Sequence, residues 1–153
     1  MRDLDTIDRN ILETLQQDGR ITMTDLANRI GLSATPCTER VRRLEREGII
    51  SGYHAHVNPH TLGLKMLVFV EIRLSSKSEE AFEKVKRELS HIPEIMECHM
   101  VSGEFDYLVK ARLAEMTDYR KLLDDILLKL PAASESRSYV VMEELKETLY
   151  VQP

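Results

Sequence analysis

An α+β fold in two parts is predicted by three observations. The first fifty residues carry three helical stripes of apolar residues, separated by short turns that contain glycine. From Leu64 the apolar period shifts from that of helices to that of strands. The later elements then follow the order β-α-β-β-α-β. These observations divide the chain into a helical domain at 1–58, a linker at 59–63 and a mixed domain at 64–153.

The first helix is read from "DLDTIDRNILETLQQDG", in which Leu4, Ile7, Ile11, Leu12 and Leu15 recur on one side. Asp5 and Asp8 occupy its first turn, where the helix dipole favours negative charge, and Gly19 stops it. The second helix begins at Thr22, with Asp25 at capping-box spacing, buries Met23, Leu26, Ala27 and Ile30, and ends at Gly31. Two residues later Ser33 or Thr35 caps a third helix, whose first turn tolerates Pro36 because an N–H there is unpaired in any case. Two helices joined by a tight turn and braced by a preceding one form a helix-turn-helix. The alternation in "IISGYHAHVNP" adds a strand as its wing, ended by Pro59.

In the second half, "LKMLVFVEIRL" places Leu64, Met66, Val68, Val70, Ile72 and Leu74 on one face. The opposite face also carries Leu67 and Phe69, which points to cover by another subunit. A helix with Phe82, Val85 and Leu89 inward follows, then strands at "IMECHMV" and "DYLVKARL" joined through "SGEFD". A helix carrying Tyr119, Leu122, Leu123, Ile126, Leu127 and Leu130 is closed by Pro131, and "RSYVVMEEL" supplies the last strand. That order is the ferredoxin-like plan.

With 153 residues, 42% of them hydrophobic and 31% charged, the composition is that of a globular protein. No apolar run approaches the ~18 residues of a membrane span, and "MRDLDTIDRN" lacks the apolar stretch of a signal peptide. The expected location is therefore the cytoplasm. Cys37 and Cys98 form no C-x-x-C motif, and His54, His56, His60, His91 and His99 lack metal-ligand spacing, so neither a metal nor another cofactor is expected. Ser33, Ser102 and Cys37 have no histidine context for nucleophilic catalysis, and Cys37 falls on a buried helical face.

The net charge of −5 argues against nucleic acid until its distribution is examined. Residues 1–58 hold eight Arg, no Lys and nine acidic residues, with Arg40, Arg42, Arg43 and Arg46 crowded into the third helix. On a helical projection Cys37, Val41 and Leu44 face roughly opposite to Thr35, Glu39, Arg42 and Arg46, while Arg43 lies at the border of that polar face. Guanidinium, carboxylate and hydroxyl groups match base-edge chemistry, so Ser33, Thr35, Thr38, Glu39, Arg42, Arg43 and Arg46 are the candidate contacts to double-stranded DNA. Arg40, on the flank, suits a phosphate contact or pairing within the protein.

The turn "VSGEFDY" is the second candidate site. Glu104 or Asp106 can accept from the ammonium of a free amino acid, and N–H groups near Gly103 can donate to its carboxylate. Val101, Ser102 and Tyr107 flank them, and Val101, Tyr139 or Val141 offer apolar contact to the ligand's side chain.

The motifs "LDxIDRNILxxLQxDGRI", "GLSxTPCxERVRRLExxGII", "VSGEFDYLVK" and "YVVMEELK" together resemble the Lrp/AsnC family of bacterial and archaeal transcription regulators over essentially the whole chain. The resemblance is strongest to the leucine-responsive branch. It implies an N-terminal winged helix-turn-helix and a C-terminal ferredoxin-like effector domain. It also implies homodimers assembling into tetramers or octamers, an amino-acid effector such as leucine or another aliphatic, nucleoid association and no enzymatic activity. One departure is Thr38, where a larger apolar residue is usual. The alternative of a siroheme decarboxylase, whose fold is similar, is disfavoured by the Arg-rich outer helix face.

Overall fold

The computed structural model describes residues 3–130 and 133–153. The chain forms two compact units, one of residues 1–56 with 146–153 and the other of residues 57–145. The last eight residues thus belong with the helical unit, whereas the sequence had placed them in the mixed domain at 64–153. Gln16 on the first helix explains this: its side-chain amide donates to the Val151 carbonyl at 2.9 Å and accepts the Val151 N–H at 2.8 Å.

The first unit contains α1 (Thr6–Gln17), α2 (Met23–Ile30) and α3 (Ala34–Arg46). Asp5 caps α1 in a reciprocal capping box with Asp8, and Thr22 caps α2 by accepting the Asp25 N–H at 3.1 Å. Gly31 ends α2 in the left-handed region, φ 74°, which turns the chain sharply into α3. The predicted stripes converge on one core of Ile11, Leu12, Leu15, Leu26, Ala27, Cys37, Val41 and Leu44. Full burial of side chains the size of Ile11, Leu26 or Leu44 is worth about 1.5–3 kcal/mol each. Cys37 has no exposure at all, and burial pushes its thiol pKa up, so it is a core residue.

Residues 51–58 do not form the predicted strand. They are exposed and pair with no other strand among the described residues. Alternation had signalled a strand there, but a strand needs a partner edge, and none of the described residues supplies one to this segment.

The second unit opens with a 3₁₀ turn at Pro59–Leu62, where the linker was expected. It continues as β1 (Met66–Leu74), α4 (Glu79–Leu89), β2 (Ile95–Met100), β3 (Tyr107–Leu113), α5 (Met116–Lys129) and β4 (Ala133–Val140), in the predicted order. The sheet runs β2-β3-β1-β4, with β1 antiparallel to both neighbours. Val68, Val70 and Ile72 of β1 are wholly buried against Val85 and Leu89 of α4, Leu122 and Ile126 of α5, and Val109 of β3. α5 is capped at Leu130; the proposed closure by Pro131 lies outside the described residues.

β4 begins four residues earlier than "RSYVVMEEL" predicts. Its register sets Glu71 opposite Arg137 and Arg73 opposite Glu135, so complementary charges along the two strands fix the pairing where apolar content does not. Leu67 is already buried within the single chain, whereas Tyr139 remains half exposed. No helix among the described residues is long and apolar enough to cross a membrane.

Two carboxylates are held below the ordinary aspartate value of 3.8, Asp5 first by the Asp8 N–H and then by Arg40, and Asp106 first by the Leu74 N–H and then by Lys77. A depressed folded pKa contributes stability that is complete above 3.8 and is lost as pH falls through the lower folded value. Thermal denaturation is therefore expected to show a steep fall in Tm below about pH 4, shallower in an Asp5→Asn/Asp106→Asn variant. Parallel pH profiles for the two proteins would refute the assignment.

Candidate nucleic-acid interface and effector loop

α3 presents its polar side as the projection requires. Thr35, Glu39, Arg42 and Arg46 are exposed, and Ser33 stands at the N-cap with no side-chain capping bond. The predicted contacts divide at Thr38 and Arg43. Thr38 turns its hydroxyl back to the Ala34 carbonyl at 2.8 Å, and its position is half buried. Arg43 donates to Asp8 of α1 at 2.6 Å, and Arg40 donates to both Asp8 at 2.8 Å and Asp5 at 2.7 Å. The two guanidiniums on this flank are therefore held within the protein, and those of Arg42 and Arg46 face outward.

Beside α3 lies an open groove of about 340 Å³ whose floor includes Leu15, Ile21, Met23 and Val41. Thr38, Arg42, Glu45 and Tyr53 form its polar border. The Tyr53 hydroxyl donates to Glu45 at 3.0 Å, and burial together with that carboxylate pushes the phenol pKa up to about 12. This bond anchors the chain beyond α3 and occupies Glu45, leaving Glu39 as the carboxylate on the outward face.

Between β2 and β3, the candidate effector loop has a rigid base and an open tip. The Val101 N–H donates to the Asp106 carbonyl at 3.0 Å, and the Asp106 N–H to the Ile72 carbonyl at 2.9 Å. The Asp106 side chain turns inward, accepts the Leu74 N–H at 2.8 Å and pairs with Lys77 at 2.8 Å. It is thus engaged with the end of β1 and not presented to a ligand. Tyr107 is buried, its ring tilted against Phe82. Ser102, Gly103 and Glu104 form the exposed tip, where Gly103 at φ 147° adopts a conformation that other residues rarely take.

The structure does not bring Tyr139 and Val141 to this loop. Tyr139 pairs opposite Phe69, and the Val141 N–H donates to the Leu67 carbonyl, whereas the loop sits at the Ile72 end of β1. The residues that β4 delivers beside Glu104 and Phe105 are Glu135 and Arg137, facing Glu71 and Arg73. The cavity they line has about 10 Å³, room for one water at most. The sequence signal for this grouping was the matched charge spacing of Glu71-x-Arg73 and Glu135-x-Arg137.

Comparison with known proteins agrees with both halves of this architecture. Residues 4–51 match winged helix-turn-helix DNA-binding domains, and residues 67–151 match the Lrp/AsnC ligand binding domain. The chain is 55% identical to the leucine-responsive regulatory proteins of Escherichia coli strain K12 and Salmonella typhimurium, over 96% of its own length and 90% of theirs. Among solved structures it is similar to an AsnC family transcriptional regulator from Agrobacterium tumefaciens, with TM-score 0.93 and 32% identity over 97% of this chain and 96% of that one. A transcriptional regulator of Neisseria meningitidis in complex with L-Met matches with TM-score 0.91 and 32% identity over the same shares.

A DNA-binding helix-turn-helix joined to an amino-acid-binding domain defines a ligand-responsive transcription regulator, not an enzyme. The chain belongs to the Lrp/AsnC family.

Asp106→Ala is expected to leave the buried Leu74 N–H without its acceptor and to cost about 1–3 kcal/mol of stability. Chemical denaturation of the second unit's transition measures this, and a cost below about 0.5 kcal/mol would show that the inward carboxylate is dispensable.

Proposed function

We propose that α3 lies in the major groove of operator DNA, with Arg42 and Arg46 as the principal readers and Ser33, Thr35 and Glu39 beside them. The observation that carries this reading is the separation of arginines on α3, with Arg40 and Arg43 paired to α1 and Arg42 and Arg46 outward. An arginine fork suits guanine O6 and N7, Glu39 can accept from cytosine N4, and Thr35 offers a methyl to thymine.

The Val101–Asp106 loop receives a free amino acid at a contact between copies of the chain, in homodimers that assemble further into tetramers or octamers. Two findings support a shared site. The cavity beside the loop holds about 10 Å³ and cannot enclose an amino acid by itself, and Gly103 leaves the tip open to a neighbour. Glu104 accepts from the ligand's ammonium, and N–H groups near Gly103 donate to its carboxylate. The relatives named as leucine-responsive, and the Neisseria protein holding L-Met, favour an aliphatic or thioether side chain. Regulation then needs only that the ligand bind one assembly state better than another, and a coupling of about 1–3 kcal/mol is enough. The protein acts on nucleoid DNA in the cytoplasm.

Arg42→Ala is expected to weaken binding to a selected operator by about 1–3 kcal/mol while relaxing base preference at one position. Fluorescence anisotropy across an operator variant set reads this; unchanged affinity for every duplex would remove α3 from the DNA interface. For the effector, light scattering across an amino-acid panel is expected to show a size change with leucine or methionine that Glu104→Gln weakens. A size distribution indifferent to every amino acid would end the effector reading and leave the DNA reading intact.

A further inference from the structure

We propose that Asp8 is the positioning residue of the recognition helix. Its buried carboxylate fixes the rotation of α3, and so the direction in which Arg42 and Arg46 meet DNA. It also withdraws Arg40 and Arg43 from the nucleic acid. The proposal rests on α3 being the helix that reads DNA.

The geometry is a two-point attachment. One oxygen of Asp8 takes Arg40 at 2.8 Å and the other takes Arg43 at 2.6 Å, with the Asp8 side chain 3% exposed. Arg40 and Arg43 are one turn apart on α3, so the two bonds restrain both sliding along the helix axis and rotation about it. The carboxylate is itself held in the capping box, in which the Asp5 side chain accepts the Asp8 N–H at 2.8 Å and the Asp8 side chain accepts the Asp5 N–H at 3.4 Å. Asp5 adds a third ion pair, to Arg40 at 2.7 Å. On α3 the clamped pair and the outward pair Arg42 and Arg46 are about 110° apart around the axis. A rotation permitted on one side therefore swings the other by the same angle.

Stability alone does not account for this arrangement. Arg43 carries a buried Nε that has no hydrogen-bond partner, a desolvation cost that an apolar side chain in its place would avoid. Buried ion pairs often stabilise no better than a well-packed apolar pair, and in some systems they specify one geometry where apolar contacts tolerate several. The shared apolar core, to which α1, α2 and α3 all contribute, already holds the three helices together. What the ion pairs add is a unique register, the property a base-reading helix requires.

The test uses the full chain, a duplex that the wild type selects from a random-sequence pool, and a scrambled duplex, with affinities read by anisotropy over a salt series. Asp8→Asn, which keeps the size but not the charge, is expected to retain the helical circular dichroism and to lower the specific-to-non-specific affinity ratio by about tenfold. Arg43→Met is expected to do the same with the salt slope unchanged, the double variant to be no worse than either single one, and Arg43→Lys to recover part of the ratio. A salt slope reduced by about one in Arg43→Met would mean that Arg43 holds a phosphate, overturning the proposal. So would a ratio within about twofold of wild type in that variant, which also decides the matter if Asp8→Asn fails to fold. Arg42→Ala separates the two failures: if it too leaves specific binding intact, the assignment of α3 as the reading helix is what has failed.

Discussion

The buried carboxylate of Asp8 is the constraint on which the first unit's surface depends. It lies in the first turn of α1, where the helix dipole favours a negative charge, and it binds two of the four arginines of α3. One acidic residue thereby links local helix initiation to the packing of two helices and to the choice of which guanidiniums face solvent. The outward face of α3 carries fewer cations than its sequence suggests, and those it carries are directed. Arginine suits both roles because its planar fork makes oriented hydrogen bonds, whether to an internal carboxylate or to a base edge.

Much of this was legible in the chain because helical stripes report burial directly. Leu4 to Leu15, Met23 to Ile30 and Cys37 to Leu44 each predicted a face that the structure buries, and Thr22 marked the start of α2, while Asp5, read as a first-turn residue, proved to be the cap of α1. The strand readings fared less evenly for a physical reason. β1 is flanked on both sides and packed by helices, so its apolar content is dictated by burial. β4 is an edge strand in whose residues "ASESRS" none is fully buried, so its position comes from pairing with β1 and not from propensity. Residues 51–58 show the converse, since alternation without a partner edge among the described residues gives no strand.

The candidate sites divide along the same line. Residue types and their spacing located α3 and the loop after β2, but not which members of each set were already engaged inside the fold. Arg43 and Asp106 have the chemistry of ligand contacts and sit in the right segments, yet each meets an internal partner less than 3 Å away. The matched intervals of Asp5/Asp8 and Arg40/Arg43 were visible in the sequence, but the contact between them spans more than thirty residues. Only the packing of the three helices on one core brings them together.

The distribution of charge completes the account of how an acidic chain binds DNA. Residues 59–153 hold 13 basic and 17 acidic side chains, whereas residues 1–58 are nearly balanced at eight against nine. At physiological salt such charges are felt only within about 8 Å, so the overall sign of the chain says little about affinity at α3. Arg40 and Arg43 are matched internally by Asp5 and Asp8, so the outward face of α3 presents the guanidiniums of Arg42 and Arg46 without those carboxylates beside them. A surface with few free cations gains little from counterion release and depends more on base contacts, which are the part of the interaction that distinguishes one sequence from another. Low positive charge on the rest of the molecule then works in favour of specificity, because it weakens the non-specific binding against which operator recognition competes.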